Sequence, residues 1–166
     1  SSYNASQLAS MGIATSFEIK SANAPDTTKP VLTSLSFPSV VDVTSSGQYI
    51  SFTAGATDVG LGVASVSVSF TKSWQGSYGN TSSFYATDSD DSFSDGYSSQ
   101  YSYISSTSGA GTYNIDTVYV RDKAGNYSSY NASQLASMGI ATSFEIKSAN
   151  APDTTKPVLT SLSFPS

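Results

Sequence analysis

The sequence predicts an all-β protein, a β-sandwich with one short helical turn before its last strand. Three observations lead there. The composition is rich in Ser, Thr, Gly and Tyr, with 38% hydrophobic, 12% aromatic and only 11% charged residues, too apolar for a disordered chain and too β-prone for a helical one. Apolar residues alternate with period two in several short stretches, the signature of half-buried strands. Pro, Gly, Asn and Asp punctuate those stretches at the intervals a sandwich needs.

Taken in order, Val31, Thr33, Leu35 and Phe37 form the inward stripe of a first strand that Pro30 introduces and Pro38 ends, positions where proline fits an edge or first strand. Ile50, Phe52, Ala54 and Ala56 form a second stripe. Ala64, Val66, Val68 and Phe70 form a third, with Ser65, Ser67 and Ser69 facing solvent. Tyr101 and Tyr103 begin another strand. Between Gly111 and Val120 the phase slips, from Tyr113 and Ile115 to Val118 and Val120, and a β-bulge near Asp116 and Thr117 restores it. Asn131 to Gly139 has an Asn or Ser to start a helical turn and a Gly to stop it. Phe144 and Ile146 mark the last strand.

Residues Ser1–Ser39 recur unchanged as Ser128–Ser166, an offset of 127 positions. Such self-similarity is expected of a window cut from a tandem array, and a period of this size is a whole domain. The polar segment from Ser148 to Pro157, with prolines at 152 and 157, reads as the linker between copies. One complete unit therefore spans 26–152. Residues 1–25 read as the closing helix and strand of a preceding copy, and 153–166 as the opening strand of a following one.

The chain has no Cys and no His, so disulfides are excluded and stability must come from a packed core, to which bound ions can add. Net charge is −5 and the isoelectric point about 4.3. That balance disfavours nucleic acid and anionic membrane surfaces and favours cations. No stretch approaches the roughly 18 apolar residues of a membrane-spanning helix, so membrane insertion is not expected. Without His or Cys no ordinary base or thiol is present for nucleophilic catalysis, and no pair of acids is set across a recognisable cleft. An enzyme is not expected.

Three motifs stand together: Asp26-Thr27-Thr28-Lys29-Pro30, Gly55-Ala56-Thr57-Asp58-Val59-Gly60-Leu61-Gly62-Val63, and Val120-Arg121-Asp122-Lys123-Ala124-Gly125-Asn126. The set resembles the tandem immunoglobulin-like repeats of very large bacterial surface proteins, including calcium-dependent adhesins and biofilm-associated proteins. The resemblance implies an immunoglobulin-like Greek-key sandwich at the bacterial cell surface. Its role would be extension of a stalk or fibre in cell adhesion and biofilm, with neighbouring identical repeats as partners. It also implies Ca²⁺ near the domain junction, at Asp26 or its copy Asp153, with Asp58, Asp122 and Asn126. Family members often carry a second carboxylate after the first in the Thr-Asp turn, where this chain has Val59. Independently of the resemblance, Ca²⁺ takes about six to eight oxygen ligands from loops, and loops at one end of a sandwich cluster. The same Asp and Asn residues also suit plain Asx turns.

Other stretches carry chemistry as well. Asp88, Asp90 and Asp95 lie in the densest acidic run, from Asp88 to Gly96, a candidate cation loop that lacks the closing Glu of an EF-hand. A solvated loop that blocks edge pairing explains the same charges. Trp74 and Tyr78, beside Gly76 and Gly79, offer rings to a polysaccharide or cap the core. Strand addition between partial repeats would instead build a self-assembling filament.

Overall fold

The computed structural model describes residues 2–18, 24–87, 97–151 and 158–161, and in it the alternating stripes become two facing sheets. In chain order the elements are α1 (Ala5–Ser10), β1 (Val31–Ser36), β2 (Val40–Asp42), β3 (Gln48–Thr57), β4 (Val63–Gly76), β5 (Gly79–Thr87), β6 (Tyr97–Ile104), β7 (Gly111–Asp122), β8 (Tyr127–Asn131), α2 (Ala132–Ser137) and β9 (Ser143–Lys147). One sheet has the order β1-β3-β6. The other runs β2-β9-β7-β4-β5, and β8 also pairs with β7. Pairing is antiparallel except between β2 and β9. β7 carries β9 along Gly111–Asn114 and β8 along Thr117–Arg121, so one long strand supports both short ones on the same edge.

The β3 stripe is buried as its alternation predicts, with Ile50, Phe52, Ala54 and Ala56 at 5% exposure or less. The bulge in β7 lies where the phase slips: Ser69 pairs Thr117 while Phe70 pairs Ile115, leaving Asp116 unpaired on the outside. Two further bulges shift stripes by one residue. Leu32 pairs Ala56 and Ser34 pairs Gly55, so Thr33 is the extra residue. Leu32 and Leu35 therefore point inward, while Val31 and Thr33, expected in the core stripe, face solvent. A bulge at Ala64 likewise turns Val63 into the core in place of Ala64. Strict alternation fails at these points because a bulged residue rotates everything before it by half a period.

At the centre lie Phe37, Phe52, Phe70, Trp74, Phe84, Tyr113 and Phe144, with Phe52 stacked on Phe84 at 4.9 Å and Tyr113 on Phe144 at 5.4 Å. Edge-to-face and offset ring pairs of this kind add to the burial term. α2 begins with a capping box: the Asn131 side chain accepts from the Gln134 N–H and the Gln134 side chain accepts from the Asn131 N–H. It seats Leu135, fully buried, and stops at Gly139, whose φ of +73° suits glycine.

The duplicated residues do not share one environment. Phe144 and Ile146 are buried, whereas Phe17, the copy of Phe144, is 86% exposed. Each buried hydrophobic of the core lies between Leu32 and Ile146.

Candidate metal centre

The chain comes into the sandwich at one end and leaves at the other. Asp26 lies beside the end of β7, where the Asn126 side-chain amide donates to the Asp26 carbonyl (3.2 Å). Lys147 and the residues after it lie beside the start of β7: Ile146 pairs Gly111, and the Ala110 N–H donates to the Asn150 carbonyl (3.0 Å). We call these the proximal and distal ends. β7 is 12 residues long, which separates them by about 36 Å at roughly 3.3 Å per residue.

The proximal end gathers three turns, each built around an aspartate. Asp26 follows the linker; its Oδ1 accepts from the Thr28 N–H (3.0 Å) and hydroxyl (2.6 Å), and its Oδ2 from the Leu61 N–H (2.8 Å). The β3–β4 turn holds Asp58, whose Oδ2 accepts from the N–H groups of Gly60 (2.9 Å) and Gly62 (3.1 Å). Asp122 ends β7 and accepts at both oxygens from Asn126, backbone and side chain, each at 2.7 Å. One carboxylate oxygen from each aspartate lies within 4.8 Å of the other two. Asp26 and Asp58 are half-buried and Asp122 is buried.

Two glycines make the convergence possible. A Cβ on Gly60 would collide with the Asp26 carboxylate, so the turn closes on that group only because residue 60 has no side chain. Gly62 has φ +90°, a conformation costly for other residues. Neither glycine signals its role in the sequence alone, since the constraint is a contact across 34 positions in one case and a turn geometry in the other.

The thirty-fifth-neighbour bond from Leu61 and the Thr28 bonds hold the Asp26 carboxyl below its ordinary value, with the Thr28 hydroxyl the largest cause. Among the described residues, the three carboxylates accept from backbone amides, the Asn126 side-chain amide and the Thr28 hydroxyl. Three negative groups thus face one another at short range, an arrangement a divalent cation relieves. The donor set is all oxygen, as Ca²⁺ requires, and the Asp58 Oδ1 makes a long contact, 3.5 Å, to the Thr28 hydroxyl. Hydrogen bonding also shows that each aspartate shapes its own turn.

The other sequence candidates fall elsewhere. Asp153, Asp88, Asp90 and Asp95 lie outside the described residues. Asn126 is at the cluster, but its amide nitrogen is committed to Asp122 and to the Asp26 carbonyl. Trp74, expected either to face a polysaccharide or to cap the core, lies in β4, and Phe70, Phe84, Tyr113 and Phe144 surround the indole at 5.3–6.0 Å. At 1% exposure it has no face open to a sugar ring. Tyr78, at the tip of the β4–β5 hairpin, is fully exposed. The segment after β9 is also tied down further than a linker reading implies, because the Ser148 hydroxyl and the Asn150 amide both donate to the Ser106 carbonyl, at 3.3 and 2.6 Å.

No protein-family model matches the chain, and no curated protein matches it. No helix among the described residues is long and apolar enough to cross a membrane.

Proposed function

We propose that the 127-residue unit is an immunoglobulin-like Greek-key bead of a long extracellular stalk or fibre on a bacterial surface, whose work is mechanical extension in adhesion and biofilm. The observation that carries this reading is the polarity of the unit: the chain arrives at the proximal end and departs at the distal end, about 36 Å apart. Units so threaded add their lengths in line. A domain whose termini met at one end would fold a repeat array back on itself. The exact duplication of residues 1–39 supports the array itself. The reading assigns no catalysis to the unit.

In this proposal Ca²⁺ binds among Asp26, Asp58 and Asp122, with Asn126 orienting Asp122, and pins the incoming linker to the sandwich. An ion that binds only the folded junction stabilises it by mass action, about 2.7 kcal/mol at a hundredfold excess over its dissociation constant. Magnesium substitutes poorly, because it demands a tighter octahedron and keeps its waters. The test is calorimetric melting and small-angle scattering of a chain of two units, with calcium and with chelator. Chelation is expected to lower the melting midpoint, and Asp58→Asn and Asp122→Asn each to reproduce much of that loss. Equal midpoints in both conditions would leave the aspartates as turn formers, and a two-unit particle no longer than one unit would end the extender reading.

A further inference from the structure

Two tethers, three positions apart in the sequence, fix how near successive units must come. At the distal end Asn150 is held by the Ala110 N–H and the Ser106 carbonyl. At the proximal end Asp26 is held by the Leu61 N–H and lies against Gly60. Asp153 is the copy of Asp26. In an array it belongs to the following unit, so only Ala151 and Pro152 separate the two anchors. Three residues span at most about 11 Å. The 58–61 turn of one unit and the 106–110 loop of the unit before it are therefore brought face to face.

The surfaces so opposed are complementary. On the proximal turn Val59 is 92% and Leu61 59% exposed, an apolar pair flanking Gly60 beside three carboxylates. On the distal end a cleft of about 540 Å³ has a largely polar lining, with Lys72, Gln75, Asn80, Thr107 and Ser108 beside Ala110, and the Tyr113 ring beneath it is buried. Lys72 lies over the Tyr113 ring, its Nζ 6.0 Å from the centroid. One surface offers a protruding turn beside carboxylates, the other a polar cleft that carries a cation, so the match is one of shape and charge. We infer that Val59 and Leu61 of each unit dock into the distal cleft of the preceding unit, with Lys72 facing the acidic rim, so that the array is a rod of touching beads. This rests on the extender reading, and it gives Val59 a purpose in a turn where a second acid would otherwise extend the cluster.

The test compares the present chain, which holds one complete unit and its flanks, with the same chain lengthened by one 127-residue period, isotope-labelled only in its first unit. The amide resonances of Lys72, Thr107, Gly109 and Ala110 are expected to shift in the longer chain. The Thr107, Gly109 and Ala110 resonances should return to the positions of the matching one-unit chain when the second unit carries Val59→Ser with Leu61→Ser, or the first carries Lys72→Glu. All three side chains are exposed, and unchanged melting of each variant in the one-unit chain confirms that folding is intact. An extended scattering profile with unshifted distal resonances would overturn the docking and leave the extender standing. A two-unit particle folded side by side would overturn the extender and the docking together.

Discussion

Gly60 is the residue on which the proximal end turns. Its Cβ would overlap the Asp26 carboxylate, so Gly60→Ala must push Asp26 out and break its bond to Leu61. A loss of about 1–3 kcal/mol is expected in denaturant unfolding, the usual size for an overpacked site, whereas Val59→Ala next to it should stay within about 0.5 kcal/mol in a single unit because that side chain is exposed. Acid acts at the same place. A carboxyl whose value is depressed by folding contributes stability above its unfolded value and gives it up as pH falls through the folded one. Asp26, held low first by the Thr28 hydroxyl, and Asp42, held low first by the Thr44 hydroxyl, therefore weaken the fold as pH drops below 3.8. Asp26→Asn should flatten that limb of a stability–pH curve. Tyr113 works in the opposite sense: burial pushes its phenol above 10.0, so its contribution is complete below pH 10.0 and fades as pH rises. Tyr113→Phe should remove that alkaline loss. Trp74 shows a residue-scale compromise, since its indole N–H is buried without a hydrogen-bond partner among the described residues. Such a group costs roughly 1–3 kcal/mol, and Trp74→Phe should accordingly cost less than Trp74→Ala.

At the scale of elements, the strands show how little a stripe of apolar residues says about its own phase once a bulge intervenes. β3 has none and its four inward residues match the alternation; β1 and β4 each contain one near the proximal end, and there the core takes Leu32 and Val63. Phe52, mid-stripe on β3 and stacked on Phe84, should cost about 3–5 kcal/mol as Phe52→Ala, while Ser67→Ala on the outer face of β4 should be close to neutral. A mild Phe52→Ala effect would show the stripe to be wrongly assigned. The duplicated helix permits an internal control. α1 and α2 have one sequence and the same capping box, yet Leu135 is buried and Leu8 is not. Leu135→Ala is expected to cost about 2–5 kcal/mol and Leu8→Ala almost nothing in the same melting experiment. Equal losses would mean that the folded unit does not close on α2 and β9.

For the whole molecule the decisive property is direction. A sandwich that takes its chain in at one end and releases it at the other is a linear element, and in the proposed array only two positions of the sequence would separate Asn150 from the following unit. The two-unit chain should therefore be longer than one unit by close to its full period, about 36 Å along β7 plus the short tether, as read from its maximum dimension in scattering. Much of this was legible in the residues alone. The composition and alternation determined an all-β class, the exact repeat determined the period, and the slip between Ile115 and Val118 located a bulge, because burial on one face imposes a period of two that any break must betray. Asp26, Asp58 and Asp122 stood out for a different reason: their three motifs resemble those of adhesin repeats, and loops at one end of a sandwich cluster. Only the tertiary structure decided that the three meet within 4.8 Å, that Gly60 exists to admit one of them, that Trp74 belongs to β4 and the core, and that Asn150 is fastened to Ser106. The aspartate cluster, the Gly60 contact and the Asn150 bond are pairings across roughly 30 to 100 positions, and Trp74 is enclosed by Tyr113 and Phe144 from other strands; local sequence carries no term for what lies on the far side of a sheet.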